Sequence, residues 1–150
     1  MTAGQVSRFV GMAAALMVAL WAAPVNAKQC YAPDARAQER AFSRAVTTEG
    51  GKVLWLGGQT ASLPLANFDA QVRDVFASIE KTLKAQGGTL KDMVTMTVFI
   101  TDARNGDRFV AIRKEIFKEC FPASALITVS GLAVPGLLVE VQGIAVVGAK

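Results

Sequence analysis

The sequence predicts an α+β domain of element order ββαβαββ, with a mixed sheet and two helices on one face. Two segments, 67–86 and 105–121, place apolar residues at the period of about 3.6 residues that marks one face of a helix. Two others, 93–102 and 137–147, are long runs rich in Val, Ile and Thr, which is typical of β-strands. A sheet covered on one side by a layer of helices buries both kinds of apolar face.

The N-terminal part of the domain is predicted to contain two strands. Residues 28–40 are polar and are expected to form an irregular arm. Residues 41–48 and 52–59 are predicted to pair as a hairpin around the turn at 49–51, which holds two glycines. A loop over residues 60–66 then leads to the first helix.

Caps and breakers set the bounds of the two helices. Asn67 is expected to cap the first helix and Gly87 to end it. The turn at 105–107 opens the second helix, and Pro122 stops it. The inward-facing residues of the second helix are predicted to be Phe109, Ile112, Ile116, Phe117 and Cys120. Residues 123–130 and 137–147 form the last two strands.

The strand at 93–102 alternates between two faces, with Val94, Met96, Val98 and Ile100 on one of them. Its predicted partner, 137–147, carries Glu140 and Gln142 on one face of an apolar run. Such polar groups line a cleft or meet a partner, because an unpaired buried amide or carboxylate is costly. We expect the sheet face away from the helices, formed by the strands that hold Val94, Val98 and Val141, to be apolar, and an open face of that kind marks an interface.

The first 27 residues are interpreted as a signal peptide. Arg8 precedes an apolar segment over residues 9–21, and residues 25–27 form a small-residue cleavage site. The apolar segment is shorter than the ~20 residues that a membrane span needs, although a signal-anchor helix is the alternative. We therefore expect a periplasmic or secreted protein with one domain, residues 28–150, and no stable membrane association after removal of the leader.

The composition excludes several classes of chemistry. The chain has no histidine, which removes histidine-based catalysis and histidine-ligated zinc, and it has no phosphate-binding glycine motif. No metal or cofactor is expected. Without Arg8 the formal charge of +4 falls to +3, with no basic run, so a nucleic-acid partner is not expected either.

The two cysteines leave two interpretations open. In an oxidising compartment, Cys30 and Cys120 could form a disulfide that closes a loop of about 90 residues. Alternatively, Cys120 lies on the apolar face of the second helix, where a free thiol is an ordinary core residue.

Four motifs resemble those of the Rid (YjgF-type) family, over residues 40–148. They are the segments 57–59, 96–102, 121–123 and 139–145. The resemblance implies a chorismate-mutase-like fold that trimerises into a barrel with a cleft between each pair of subunits. It also implies hydrolysis of reactive enamines or imines without a metal or cofactor.

The resemblance places candidate site residues, and the chain departs from the family at several of them. Ser124 stands where the family has the arginine that binds the substrate carboxylate, and residues 125–127 supply no guanidinium. Ser124→Arg is therefore expected to raise carboxylate affinity. Arg44 could reach the cleft, although solvent exposure is the alternative. Phe42 replaces a tyrosine and keeps an aromatic wall.

The remaining candidates come from two other motifs. Gln142 stands where the family has an acid that positions water, and Glu140 is the carboxylate nearest to it along the strand. Glu140 could instead bind backbone or a helix terminus across the trimer. Gly58 and Gln59 keep the family pattern, and Gly58 allows either close approach of a ligand or a bulge.

The sequence therefore favours an exported homotrimer that binds a small organic molecule between subunits, with weak or absent 2-imino acid deaminase activity. The alternative is an enamine or imine deaminase, or another cofactor-independent hydrolase, acting on a different small substrate with Gln142 or Glu140 holding water. A holdase or protein-interaction role is a third possibility for which the sequence offers no specific signal.

Overall fold

The computed structural model describes residues 28–62, 64 and 67–149, so the predicted leader lies outside the described residues. The strands are β1 (Lys28–Tyr31), β2 (Ala45–Thr48), β3 (Lys52–Thr60), β4 (Met93–Ile100), β5 (Ala123–Thr128) and β6 (Val139–Val147). The α-helices are α1 (Ala35–Glu39), α2 (Phe68–Ala85) and α3 (Gly106–Phe117). Short 3-10 turns at Leu90–Asp92 and Ala103–Asn105 lead into β4 and α3 respectively.

The main sheet has four strands in the order β3-β6-β4-β5. Strands β4 and β6 pair, as predicted, and they run antiparallel with Val98 opposite Val141. Strand β5 runs parallel to β4 because α3 carries the chain back to the start of the sheet. The predicted α+β fold with a mixed sheet is confirmed.

The N-terminal region differs from the prediction in two ways. Residues 28–40 are not an irregular arm, since they form β1 and the short helix α1, which Asp34 caps by accepting a hydrogen bond from Ala37 N at 2.8 Å. The predicted hairpin is also wrong: β2 pairs with β1 in a separate two-stranded sheet, whereas β3 pairs with β6. Gly50 and Gly51 both have positive φ, and the turn they form passes the chain from one sheet to the other.

Both longer helices pack on the same face of the main sheet. Asn67 caps α2 as expected, accepting a hydrogen bond from Ala70 N at 2.9 Å. Helices α2 and α3 meet through Phe76, whose ring centroid lies 6.0 Å from that of Phe109 and 5.7 Å from that of Phe117. The buried residues that the two helices and strands β4 and β6 contribute form one core.

The sheet face away from the helices is not formed by the residues that the sequence pattern predicted. A register shift between Met93 and Thr95 breaks the alternation, so Val94 does not share the buried face of Met96. Val98 and Val141 point into the core. The large apolar side chains that stand exposed on β3 and β5 are Val53, Trp55 and Ile127.

Candidate functional site

A buried guanidinium lies between α3 and β5. Arg113 occupies an inward position of α3, and only 3% of it is exposed. Its Nη1 donates to Ser124 Oγ at 2.6 Å, and its Nη2 donates to the backbone oxygen of Arg40 at 2.5 Å. Its Cζ also lies 5.3 Å from the ring centroid of Phe109. The side chain is therefore fixed by two neutral oxygen atoms and an aromatic ring.

The charge of Arg113 is not neutralised within the described part of the chain. No carboxylate forms an ion pair with it there, and its buried Nε has no hydrogen-bond partner. Burial lowers the pKa of Arg113 to about 10, and the positive charge of Arg40 acts in the same direction. A buried charge without a counterion is unfavourable. An anion bound beside Arg113 would therefore be stabilised by this charge.

The structure corrects the sequence-based interpretation of Ser124. Ser124 pairs in register with the core residue Met96, so its side chain faces the helices and meets Arg113. The sequence indicated no guanidinium near Ser124, but that of Arg113, on α3, lies within hydrogen-bond distance of the Ser124 hydroxyl. A signal for Arg113 was present: a charged residue stands four positions after Phe109, on the apolar face of the helix.

Arg113 and Ser124 line a cavity of about 270 Å³. Phe42 lines it as well, so two of the predicted site residues are brought together there. Two further arginines complete the polar part of its wall: Arg36 and Arg40. The apolar part also includes Val110 and Leu126.

Arg44 does not line this cavity. Its Nε donates to Asp34 Oδ2 at 3.0 Å, and its Cζ lies 5.5 Å from the ring centroid of Phe42. Its side chain is half exposed, which agrees with the solvent-facing alternative. The Arg44 guanidinium holds the pKa of Asp34 below its usual range, with a backbone hydrogen bond from Ala37 adding to the effect.

The other predicted residues lie elsewhere in the chain. Gln142 pairs with Thr97 on the sheet face away from the helices and lines a separate pocket beside Trp55. Gln59 accepts a hydrogen bond from Ser78 of α2 at 3.0 Å. Within one chain, therefore, neither Gln142 nor Gln59 reaches the Arg113 cavity.

Glu140 and Gly58 lie in contact with each other. A Cβ atom built on Gly58 would overlap Glu140 Oε1. A register shift between Leu56 and Gln59 surrounds Gly58, so the structure contains the bulge that the sequence offered as one alternative. The close approach at Gly58 is to Glu140 of the same chain.

Cys30 and Cys120 form a disulfide, with their Cα atoms 5.2 Å apart. The core-thiol alternative is wrong because α3 ends at Phe117, three residues before Cys120. The disulfide ties β1 to the loop that leads into β5. Ser43 holds the same loop, because its buried Oγ donates to the backbone oxygen of Phe121 at 2.5 Å. No pattern in the sequence had singled out Ser43.

Groups of three or more His, Cys, Asp or Glu side chains placed to hold a metal ion are not found among residues 28–62, 64 and 67–149. Within the same ranges, no helix has the length and apolar content to cross a membrane.

Comparison with known proteins identifies the class of protein. The family model described as endoribonuclease L-PSP matches residues 32–147. The RutC family protein PH0854 of Pyrococcus horikoshii is 28% identical over 110 residues, which cover 69% of this chain and 85% of that protein.

Solved structures of Rid proteins have the same fold. The Rid family protein YyfB of Yersinia pestis superposes with a TM-score of 0.73 at 23% identity, over 81% of this chain and 99% of that one. RidA from an Antarctic Psychrobacter has a TM-score of 0.62 at 26% identity, over 73% and 95% of the two chains. The protein thus has the Rid-type α+β fold. It belongs to the endoribonuclease L-PSP family, and the resemblance to Rid (YjgF-type) proteins is confirmed.

Proposed function

We propose that the protein binds a small organic carboxylate in the Arg113 cavity. The observation that carries this proposal is the guanidinium of Arg113, 3% exposed and without a carboxylate partner among the described residues. A ligand carboxylate would supply the missing counterion. The planar guanidinium is suited to that task, since it donates hydrogen bonds to a carboxylate in a fixed geometry.

The rest of the cavity supports the same class of ligand. Ser124 Oγ accepts from Arg113 and keeps its own O–H as a donor to a second acceptor. Phe42 and Leu126 supply apolar contact for the carbon skeleton. The cavity volume of about 270 Å³ lies just below the range of about 300–1,000 Å³ that is usual for drug-sized ligands. This size favours a small metabolite.

We propose that deaminase activity towards 2-imino acids is weak or absent. The position of the family's water-orienting acid is Gln142, an amide that can orient water but is a poor base. In a single chain its side chain also lies on the sheet face opposite Ser124. The second candidate function is a cofactor-independent deaminase or other hydrolase, because Arg113 supplies a carboxylate anchor that the sequence alone did not reveal.

We propose a homotrimer in which the exposed sheet face is buried between copies. Trp55 is 79% exposed in the single chain and Val53 is 50% exposed, which is unfavourable for side chains of this size unless a partner covers them. Trp55→Lys should then give a monomer by light scattering, whereas exposed Lys91→Ala should not. A wild-type protein that is monomeric at micromolar concentration would reject the trimer.

We propose that the chain is exported, to the periplasm or beyond, with residues 1–27 removed. The Cys30–Cys120 disulfide supports an oxidising compartment, because such bonds are rare in the cytosol.

We propose no nucleic-acid partner for the protein, since carboxylates of the chain already neutralise part of its positive surface. Several exposed arginines are engaged by carboxylates, as in the pairs Arg73–Glu115 and Arg108–Asp69.

Calorimetric titration with pyruvate tests the ligand proposal. Wild-type protein should bind pyruvate, and Arg113→Gln should weaken binding by about tenfold or more, the scale of a charge-assisted hydrogen bond. Arg113→Lys keeps the charge and should retain part of the affinity. Arg73→Gln, which removes a guanidinium remote from the cavity, is the matched control and should bind as the wild type does. Equal affinity of Arg113→Gln and wild type would reject the proposal.

A further inference from the structure

We propose that the natural ligand of the Arg113 cavity is a dicarboxylate, with Arg113 binding one carboxylate and Arg36 the other. This inference rests on the proposed carboxylate-binding function and names the class of ligand. It concerns Arg36, a residue that neither the sequence motifs nor the family resemblance singled out.

The inference starts from a charge count around the cavity. Three guanidiniums line it, and only that of Arg40 has an ion-pair partner in the described chain, the carboxylate of Asp107. Arg36 forms no ion pair there. The acid nearest to it along the chain, Asp34, is bound by Arg44, and the charge of Arg36 makes only the smallest contribution to the lowered pKa of that carboxyl. Arg36 and Arg113 therefore present two positive charges to one cavity without a matching carboxylate.

Backbone hydrogen bonds link the positions of these two residues. Arg40 N donates to the backbone oxygen of Arg36 at 2.9 Å, one helical turn away, and Arg40 O accepts from Arg113 Nη2. A single segment thus connects the exposed Arg36 with the buried Arg113. Arg113 is placed to hold a carboxylate at depth, and Arg36 is placed to bind a second one at the solvent side.

The rest of the wall favours two carboxylates joined by carbon over a compact dianion such as phosphate. Phe42, Val110 and Leu126 are apolar and match a short hydrocarbon linker. The cavity volume of about 270 Å³ equals about nine water molecules at ~30 Å³ each, which is enough for a small dicarboxylic acid.

Titration calorimetry with 2-oxoglutarate, pyruvate and inorganic phosphate tests this inference on wild type, Arg36→Gln and the control Arg104→Gln. Wild type should bind 2-oxoglutarate about tenfold more tightly than pyruvate. Arg36→Gln should lose that preference while its pyruvate affinity stays within about twofold. Arg104→Gln removes an exposed guanidinium that is paired with Asp102 and does not line the cavity, so it should change neither affinity.

The outcomes separate the two proposals. Equal wild-type affinities for pyruvate and 2-oxoglutarate would overturn the dicarboxylate inference and leave carboxylate binding intact. A preference for 2-oxoglutarate that survives in Arg36→Gln would also overturn it, as would tighter binding of phosphate than of 2-oxoglutarate. If wild type binds none of the three probes, both proposals fail. Circular dichroism of Arg36→Gln checks that the variant is folded.

Discussion

Arg113 Nη1 donates to Ser124 Oγ at 2.6 Å, so a helix residue fills the space beside the strand position at which the family resemblance leads one to expect an arginine. A guanidinium therefore lies beside Ser124, and α3 supplies it. Because α3 also supplies the cavity wall at Val110, the anchor and the apolar contact come from adjacent turns of one helix.

Arg113→Met should leave stability within about 2 kcal/mol of wild type. Loss of a buried charge without a counterion is favourable, whereas Ser124 Oγ and Arg40 O lose a donor, and the two effects oppose each other. Urea unfolding measures the difference. Pyruvate at ~100 times its Kd should stabilise wild type by about 2.7 kcal/mol and leave Arg113→Met unchanged. A loss of more than 4 kcal/mol would show that Arg113 is mainly structural.

Ser124→Arg should not raise carboxylate affinity, contrary to the expectation from the sequence alone. The new guanidinium would lie against that of Arg113, and two like charges in a partly buried space repel each other. We expect a lower midpoint of thermal unfolding and no gain in pyruvate binding. Ser130→Arg, two residues past the end of β5 and exposed, is the control that should unfold like wild type. A tenfold gain in affinity for Ser124→Arg would contradict this account of the site.

Removal of the disulfide should be costly. The bond joins residues 90 apart, and in the chain-entropy description it contributes about 2–5 kcal/mol. Cys30→Ser/Cys120→Ser should therefore unfold at lower urea than wild type. Wild type treated with a reductant should match the double variant, which itself should not respond to reductant. An unchanged midpoint in both cases would mean that the bond does not form.

Two strand glycines should differ in their tolerance of alanine. At Gly143 a Cβ would overlap the backbone oxygen of Thr95, which cannot move without breaking strand pairing, so Gly143→Ala should cost about 2–3 kcal/mol. At Gly58 the overlap is with the end of the Glu140 side chain, which can rotate away, so Gly58→Ala should cost less than about 1 kcal/mol. Chemical denaturation measures both, and a reversed order would contradict the argument.

Lys28 should give the folded domain a pH dependence above neutrality. Its Nζ donates to the backbone oxygens of Lys91 at 2.8 Å and Met93 at 2.6 Å, and burial lowers its pKa from 10.5 to about 8 against the opposing charge of Asp92. Between these values the unfolded chain binds more protons than the folded one, so this residue's contribution to stability rises with pH. The stability of wild type relative to Lys28→Gln should increase from pH 8 to pH 10.

The main sheet was predictable because its signals are local. Hydrophobic period and the Asn67 cap identify the longer helices, and β4 and β6 are long enough to identify by composition. The predicted stop of α3 at Pro122 is wrong, because the helix ends at Phe117, before Lys118 with its positive φ. The pairing of β2 was not predictable, because its sequence suits either neighbour and the choice depends on the position of β1 in space. The bulge at Met93 likewise depends on Gly143 of another strand, which lets the two backbones approach.

The candidate site was only partly predictable, for a related reason. Phe42 and Ser124 were found because motif spacing fixes them, and the cavity contains both. Arg36 and Arg113 lie on helices α1 and α3, outside these motifs. A local sequence pattern does not predict which helix side chain a strand residue will contact. The charged residue on the apolar face of α3 was the available signal.

The disulfide also sets an order of events in the synthesis of the protein. Cys30 leaves the ribosome with no partner, and 90 further positions must be added before Cys120 exists. At the usual rate of about 5–20 residues per second, that interval lasts about 5–18 s. During this time β1 can pair with β2, which follows it closely along the chain, but it lacks its covalent tether, and the Cys30 thiol is free to react with any oxidant or thiol it meets. Cys120 must therefore be synthesised before the Cys30 thiol can be protected as a disulfide.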